Sequence, residues 1–168
     1  MTRDQLLDAK PGIVALIRDQ AEKRLDAQCG FAVAQDAKGS ALLTAATSLA
    51  AASAAVCAAG LALDNDLLPL LVGTGLATIG FTLAGGLAVW ALRSEGFHAV
   101  GWYPQDFADD LAQKLPAETI EADFVIALQS RLAENKAVLE RRGNRLNSSS
   151  YLLFGSPLAA AVVAMVAS

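Results

Sequence analysis

The chain has 168 residues, of which 54% are hydrophobic, and a formal net charge of -4. Its length is that of one domain, and its mean hydropathy of +0.41 is typical of membrane proteins rather than soluble globular domains. Acidic and basic side chains are mixed throughout the polar segments, six of each in the first forty residues. This balance argues against a nucleic-acid partner, which requires a concentrated basic face.

Residues 1–40 predict a cytoplasmic amphipathic helical segment. Thr2 and Gln5 have capping-box spacing, and Pro11 is suited to begin a second, longer helix. Apolar side chains then recur every three or four residues, at Leu16, Ile17, Ala21, Leu25, Cys29 and Ala32. We expect this helix to continue into the apolar segment that follows. Packing on neighbouring helices is favoured over binding flat on a membrane surface.

Residues 41–92 predict a transmembrane hairpin. Two charge-free runs, Ala41 to Leu63 and Leu67 to Leu92, are separated by a polar turn at residues 64–66. As helices they would rise roughly 35 and 39 Å, which exceeds a hydrocarbon core of about 30 Å. The alternative is a buried hairpin in a soluble bundle, but soluble cores rarely contain uninterrupted apolar runs of this length.

Both runs contain small residues four positions apart. This spacing lets helix backbones approach closely, so we expect the ladders to pack the hairpin and to leave surface for other copies. The helix-packing candidates are Ala46, Ala50, Ala54, Ala58, Gly73, Ala77, Gly80 and Ala84. Hydroxyl groups in the same runs either line a narrow polar path in an oligomer or form interhelical hydrogen bonds, and the second interpretation is favoured. These candidate lining residues are Thr47, Ser48, Thr74 and Thr78.

Residues 93–150 predict a second cytoplasmic helical segment. A short helix is expected at residues 105–115 and a long one from Glu118 to about Asn144, with the polar stretch 144–150 loosening its end. Leucines and a valine repeat at intervals of seven, at Val125, Leu132, Leu139 and Leu146, whereas the companion positions turn polar after Leu128, at Asn135 and Arg142. Packing against the first cytoplasmic helix is therefore at least as favoured as a self-associating coiled coil.

Residues 151–168 predict a C-terminal span, with a re-entrant or interfacial segment as the alternative. The run from Tyr151 to Ala167 carries no charge and contains Pro157, which membrane helices tolerate. All 13 Lys and Arg residues lie before Ala41 or between Arg93 and Arg145. The positive-inside rule then places the N-terminus in the cytoplasm and the C-terminus on the outer side.

Catalytic, metal-binding and cofactor-binding residues are not predicted, and we expect a protein that is not an enzyme. His98 is the only histidine, so neither a zinc site nor a catalytic triad has its usual complement. Gly73-Thr74-Gly75 lacks the third glycine of a dinucleotide fingerprint. The acidic residues Asp109, Asp110, Glu118 and Glu121 are interpreted as a solvated helix face rather than a cation site. No acidic or basic residue lies within a predicted span, which disfavours a transporter.

Two short motifs resemble those of a known family. They are Gln35-Asp36-Ala37-Lys38-Gly39-Ser40 at the entry to the first span and Asn135-Lys136-Ala137-Val138-Leu139 in the late cytoplasmic helix. With the order of segments, they resemble the small transmembrane effectors of bacterial anti-phage systems, the Pycsar-type effectors and the related SLATT proteins. The family-motif positions carried over are Asp36, Lys38, Asn135 and Lys136, expected as contacts between the two cytoplasmic helices.

The resemblance implies a homo-oligomer in the lipid of the bacterial inner membrane, which permeabilises or disrupts that membrane when a cyclic nucleotide or a partner sensor protein signals infection. The alternative is a structural membrane subunit that acts as a scaffold in a larger complex, without a pore or enzymatic activity. In either case we predict an all-α integral membrane protein with three transmembrane helices, a tight hairpin plus a C-terminal span, and long amphipathic cytoplasmic helices.

Overall fold

The protein is all-helical over the residues described by the computed structural model, 2–63, 68–93, 96–99 and 113–167. The described ranges contain four helices, in order α1 (Arg3–Leu7), α2 (Pro11–Leu63), α3 (Leu68–Leu92) and α4 (Ala117–Ala167). The predicted turn at residues 64–66 and most of the predicted helix at residues 105–115 lie outside the described residues. So do Asp109 and Asp110 of the acidic helix face. Within that helix, Gln113 and Lys114 form a turn instead, with Lys114 at a φ of 51°.

Local sequence sets the start of the first two helices. Thr2 caps α1 with the predicted capping box: the Gln5 amide donates to the Thr2 hydroxyl, and the Thr2 amide donates to the Gln5 side chain. Proline begins α2 at Pro11, where its missing amide hydrogen costs no helical hydrogen bond. As expected, α2 then continues without a break from the polar segment to Leu63.

The last helix differs from the prediction of two separate helices. Residues 144–150, expected to loosen the chain, are helical, and α4 runs from Ala117 through Pro157 to Ala167. The polar side chains of this stretch find partners that make a break unnecessary: Ser150 donates to the Leu146 carbonyl of its own helix, and Ser149 donates to a carbonyl of α3.

The described chain packs as two compact units, to which α2 and α4 both contribute. Unit 1 comprises Met1–Val33 and Glu95–Leu139, and unit 2 comprises Ala34–Ser94 and Glu140–Ser168. Within unit 1, α1, α2 and α4 bury two small apolar clusters. One contains Leu6, Val14, Ala122 and Val125, and the other contains Ala21, Leu25 and Leu128. The predicted buried face of α2 is wrong at Leu16, which is 59% exposed.

Unit 2 has its own core among the three apolar helical segments. Its buried residues are Ala46, Ala77, Phe81, Ala84, Leu153 and Ala160. Most of them are alanines, so backbones approach closely and dispersion between nearby main chains replaces interlocking of large side chains. Large apolar side chains instead point outward, for example Leu61, Leu158 and Val166, which are 73%, 71% and 84% exposed.

The predicted small-residue ladders do not pack only against each other within the hairpin. Part of the packing is against α4. A Cβ at Gly73 would lie 3.1 Å from the Ala160 carbonyl oxygen, and one at Gly80 would lie 2.6 Å from the Ser156 Cβ, so both glycines face α4. On α2, Ala46 is buried and Ala50 half-buried, whereas Ala54 and Ala58 are exposed. The whole α3 ladder therefore takes part in packing within the chain, but only the first half of the α2 ladder does.

Three of the described helices are long and apolar enough to cross a membrane. Their candidate spans lie within Gly12–Ala62, Leu68–Leu92 and Ala117–Val166. Length and hydropathy thus agree with the three predicted transmembrane segments.

We expect Gly80→Ala to lower the free energy of unfolding by about 1–3 kcal/mol, because the new methyl group overlaps Ser156. Thermal unfolding in detergent micelles measures the change. Gly75→Ala is the matched control on the same helix, since a Cβ there meets nothing within 4 Å. Adding Ser156→Gly to Gly80→Ala should restore most of the loss; a pair no more stable than Gly80→Ala alone would contradict the contact.

Candidate functional site

The candidate site is a line of buried polar side chains on α4. Starting at Val125, positions spaced alternately three and four residues apart form one stripe along the helix, the geometry of a heptad seam. The apolar members are the predicted Val125, Leu132, Leu139 and Leu146, continued by Leu153 and Ala160. The companion positions after Leu128 are Asn135, Arg142 and Ser149, with exposures of 0%, 7% and 0%. The positions that appeared to interrupt the heptad are thus buried on the same stripe.

In unit 2, Arg142 joins α4 to both other apolar helices. Its guanidinium contacts the Asp36 carboxylate of α2 at 3.4 Å and the Arg93 carbonyl oxygen at the end of α3 at 3.5 Å. Only 8% of the Arg142 side chain is exposed, against 55% for Asp36. The Arg142 Nε has no hydrogen-bond partner among the described residues. One cation thus contacts both other apolar helices of the unit at the level where α3 ends.

Two further cations of unit 2 link its helices. The Lys38 ammonium donates to the Asn147 amide oxygen at 3.1 Å, which joins α2 to α4 a second time. The Arg145 guanidinium lies 4.2 Å from the centre of the Trp90 ring and donates to the Trp90 carbonyl oxygen at 3.5 Å. Cations beside the last carbonyls of a helix stabilise its C-terminus, and a ring face adds cation–π attraction.

Ser149 is the next buried polar residue of the α4 stripe and lies deeper in the apolar core. Its hydroxyl donates to the Ala84 carbonyl oxygen of α3 at 2.8 Å. A hydroxyl that is buried without an acceptor gives up its hydrogen bond to water and forms no other in exchange, which costs free energy. The alanine at position 84 leaves the carbonyl accessible, and its own exposure is 0%. The small residue and the hydroxyl therefore form one complementary contact.

Asn135 makes the corresponding contact in unit 1, with a non-helical segment. Its amide oxygen accepts from the His98 amide at 2.9 Å, and its amide nitrogen donates to the His98 carbonyl oxygen at 2.8 Å. The His98 ring lies 2.7 Å from the Glu134 carboxylate, which also accepts from Ser130 at 2.9 Å. The hydrogen bonds from His98 and Ser130 hold the pKa of Glu134 below its ordinary value of 4.5.

The family-motif positions reach different surroundings. Asp36 and Lys38 contact α4, whereas Asn135 binds the backbone of His98. Lys136 is exposed. Sequence reasoning missed Arg142 and Ser149 as site residues, although their heptad spacing from Leu128 could have identified them.

The predicted lining hydroxyls do not bond between helices. Thr47 donates to the Leu43 carbonyl oxygen at 2.9 Å, Thr74 to that of Leu70 at 2.9 Å, and Thr78 to that of Thr74 at 2.8 Å. Each donor is thus used within its own helix, one turn back. Thr47 and Ser48 are exposed on α2, and Thr74 and Thr78 are half-buried on α3.

Across the described ranges, no group of three or more His, Cys, Asp or Glu side chains is arranged to hold a metal ion. The chain matches no protein-family model, no curated protein and no solved structure. The arrangement that the residues do form is a set of buried side chain to backbone contacts at helix ends and in a small-residue core.

We expect Asn135→Leu to lower the free energy of unfolding by about 1–3 kcal/mol, because it leaves the His98 amide and carbonyl groups without their partner. Chemical unfolding in detergent measures the loss. Asn144→Leu, at an exposed position of the same helix, is the matched control and should change stability much less. Equal effects of the two substitutions would rule out a special role for Asn135.

Acid should weaken the contact between His98 and Glu134. Because the folded-state pKa of Glu134 is lowered, its stabilising contribution is present above pH 4.5 and is lost as the pH falls through the lowered value. Thermal unfolding between pH 6 and pH 3, run on the unsubstituted chain and on Glu134→Gln, should show the two curves converging in acid. His98→Leu should remove the same dependence. If the unfolding temperatures of all three proteins changed in parallel with pH, the stabilising contribution of this contact would be refuted.

Proposed function

We propose that the chain is a three-span protein of the bacterial inner membrane, N-terminus in the cytoplasm and C-terminus outside, which self-associates and permeabilises the membrane as an effector of anti-phage defence. Among the observations that support this proposal, one carries it: α2 presents an exposed face of small residues in its apolar half. Only 6% of its most apolar 18-residue window is buried inside the protein.

The exposed face of α2 has the composition of a helix-packing surface rather than a lipid-facing one. Ala54 and Ala58 continue the ladder of the buried Ala46, but both are exposed. Lipid gives alanine little dispersion energy, whereas a second helix can approach its backbone closely. By contrast, α3 and α4 expose mainly large side chains such as Ile79, Leu83 and Phe154. This contrast supports α2 as the surface that meets another copy.

Hydroxyl groups on the same side of α2 support a polar path between assembled copies. Thr44, Thr47 and Ser48 are exposed in the N-terminal half of the apolar segment of α2. The donors of Thr44 and Thr47 are used within the helix, yet each hydroxyl oxygen keeps a lone pair that can accept a hydrogen bond from water. Several copies joined through α2 would bring these oxygens together.

Unit 1 is proposed to receive the trigger, which the family resemblance suggests is a cyclic nucleotide or a partner sensor protein. A cavity of about 390 Å³ there is lined by Arg18, Glu22 and Glu121 together with apolar groups. Arg18 is already paired with Glu121 at 3.2 Å. The cavity wall therefore holds two carboxylates and one cation, and that cation already has an anionic partner. This cavity repels phosphate, which favours a protein trigger over a nucleotide bound at that place.

A scaffold subunit without a pore is the second candidate function. The observation in its favour is that most hydroxyl donors of the three apolar segments are satisfied inside the protein, including Ser53, Thr82 and Ser156. Most of the described hydroxyl donors of these segments therefore do not require water, and assembly through α2 could serve to organise a larger complex.

We expect Ala54→Leu with Ala58→Leu to abolish depolarisation of bacteria that express the chain. Blocking close approach should raise the dissociation constant between copies by on the order of tenfold or more. A potential-sensitive dye and crosslinking report the two effects, with and without co-expression of a cyclic-nucleotide cyclase. Ala159→Leu, the same type of substitution at an exposed position of α4, is the control. Full depolarisation by the double variant would overturn the proposal.

Thr47→Leu separates the two candidate functions. A pore should lose conductance while the crosslinked oligomer persists, because an apolar side chain replaces an oxygen on the polar path. A scaffold should show no depolarisation in either protein. Depolarisation that requires the cyclase would identify a nucleotide-dependent trigger.

A further inference from the structure

A groove of about 530 Å³ lies in unit 2 between α2 and the end of α3. Its lining residues are Leu43 from α2 and Gly86, Val89, Trp90, Leu92 and Arg93 from α3 and its C-terminal end. All of them are apolar except Arg93. Small-ligand sites occupy roughly 300–1,000 Å³ and combine apolar walls with a few polar groups, which is the composition seen here.

The groove is open on the protein surface. Gly86 has no atom within 4 Å of the place where a Cβ would lie, and Val89 and Trp90 are 53% and 52% exposed. Leu92, another lining residue, packs on Gly39, where a Cβ would lie 2.7 Å from the Leu92 side chain. The groove therefore combines apolar walls with one cationic side chain.

Charge at this end of unit 2 is strongly positive. All the described charged residues of the unit lie here: Lys38, Arg93, Arg141, Arg142 and Arg145 against Asp36 and Glu140. The Arg142 and Arg145 guanidinium groups are directed at backbone carbonyl oxygens. Toward the residues that the structure describes, the Arg93 side chain makes no hydrogen bond or ion pair, and it is exposed. It is therefore available to an anion at the mouth of the groove.

We propose that this groove binds an acyl chain of an anionic phospholipid and that the Arg93 guanidinium pairs with the lipid headgroup. The inference rests on the proposed membrane insertion. Trp90 lies one turn before Arg93, at the level where an aromatic belt meets the headgroups, and α3 ends at Leu92. A basic group between membrane helices is a recurring anionic-lipid site.

Fluorescence quenching of Trp90 tests the proposal on the full chain. Trp102→Phe leaves Trp90 as the only tryptophan, since the sequence contains two. The protein is placed in nanodiscs that contain brominated phosphatidylglycerol or brominated phosphatidylcholine at matched fractions. We expect half-maximal quenching at about fivefold less phosphatidylglycerol, the preference that one arginine near an anionic surface supplies.

Two substitutions locate the preference in the groove. Arg93→Gln should reduce the fivefold ratio to near one, and so should Gly86→Leu, which fills the open trough. The matched controls are Arg24→Gln, an exposed cation of unit 1, and Gly75→Leu, an equally open glycine of α3. Both controls should keep the ratio.

Equal quenching by the two lipids in the unsubstituted protein would overturn the lipid site. A preference that survives Gly86→Leu would overturn it as well, because diffuse attraction to the basic end does not need the groove. Absence of quenching by either lipid would overturn membrane insertion itself, and with it the proposed function.

Discussion

The buried guanidinium of Arg142 is the interaction on which unit 2 depends. Removing a cation from water is costly unless opposite charge and hydrogen-bond acceptors surround it, and here the acceptors come from two other helices. The Asp36 carboxylate contributes charge from α2, and the Arg93 carbonyl oxygen lies directly after α3, at the negative end of that helix's dipole. The position of α4 relative to α2 and α3 within the unit is therefore constrained at this level by electrostatics rather than by side-chain volume.

Polar residues on the α4 seam also restrict the register of packing. Leucines at intervals of seven would accept a shift by one heptad at little cost, because each apolar position resembles the next. A shift would instead move Asn135 from the His98 backbone and Ser149 from the Ala84 carbonyl, leaving buried groups unpaired. Single buried polar positions in a heptad seam specify alignment in this way. The same argument explains why the heptad is only half apolar in sequence.

The division of small residues between two surfaces links the fold to the proposed assembly. Gly73 and Gly80 allow α4 to approach α3, so those positions are already occupied within one copy. The exposed alanines of α2 remain available to another copy. A substitution at Gly80 should therefore disturb the folded chain itself, whereas one at Ala54 should disturb only association. This difference is what makes the two kinds of variant informative together.

Much of the architecture could be predicted from residue patterns, because the apolar runs, the Thr2 capping box and the proline at Pro11 act locally. The candidate site was only partly predictable. Asp36 and Asn135 were singled out through short motifs, but their partners Arg142 and His98 are 106 and 37 positions away in the chain. No local pattern reveals which distant backbone group a polar side chain will meet.

The sequence by itself determined that the chain is helical and that three of its segments are long and apolar enough for a membrane, because helix formation and hydropathy depend on neighbouring residues. Only the tertiary structure decided that residues 144–150 stay helical, that Gly73 and Gly80 face α4, and that Leu16 is exposed. These features depend on which surfaces meet in three dimensions, since a polar or small residue is stabilised by the group opposite it rather than by its neighbours in the chain.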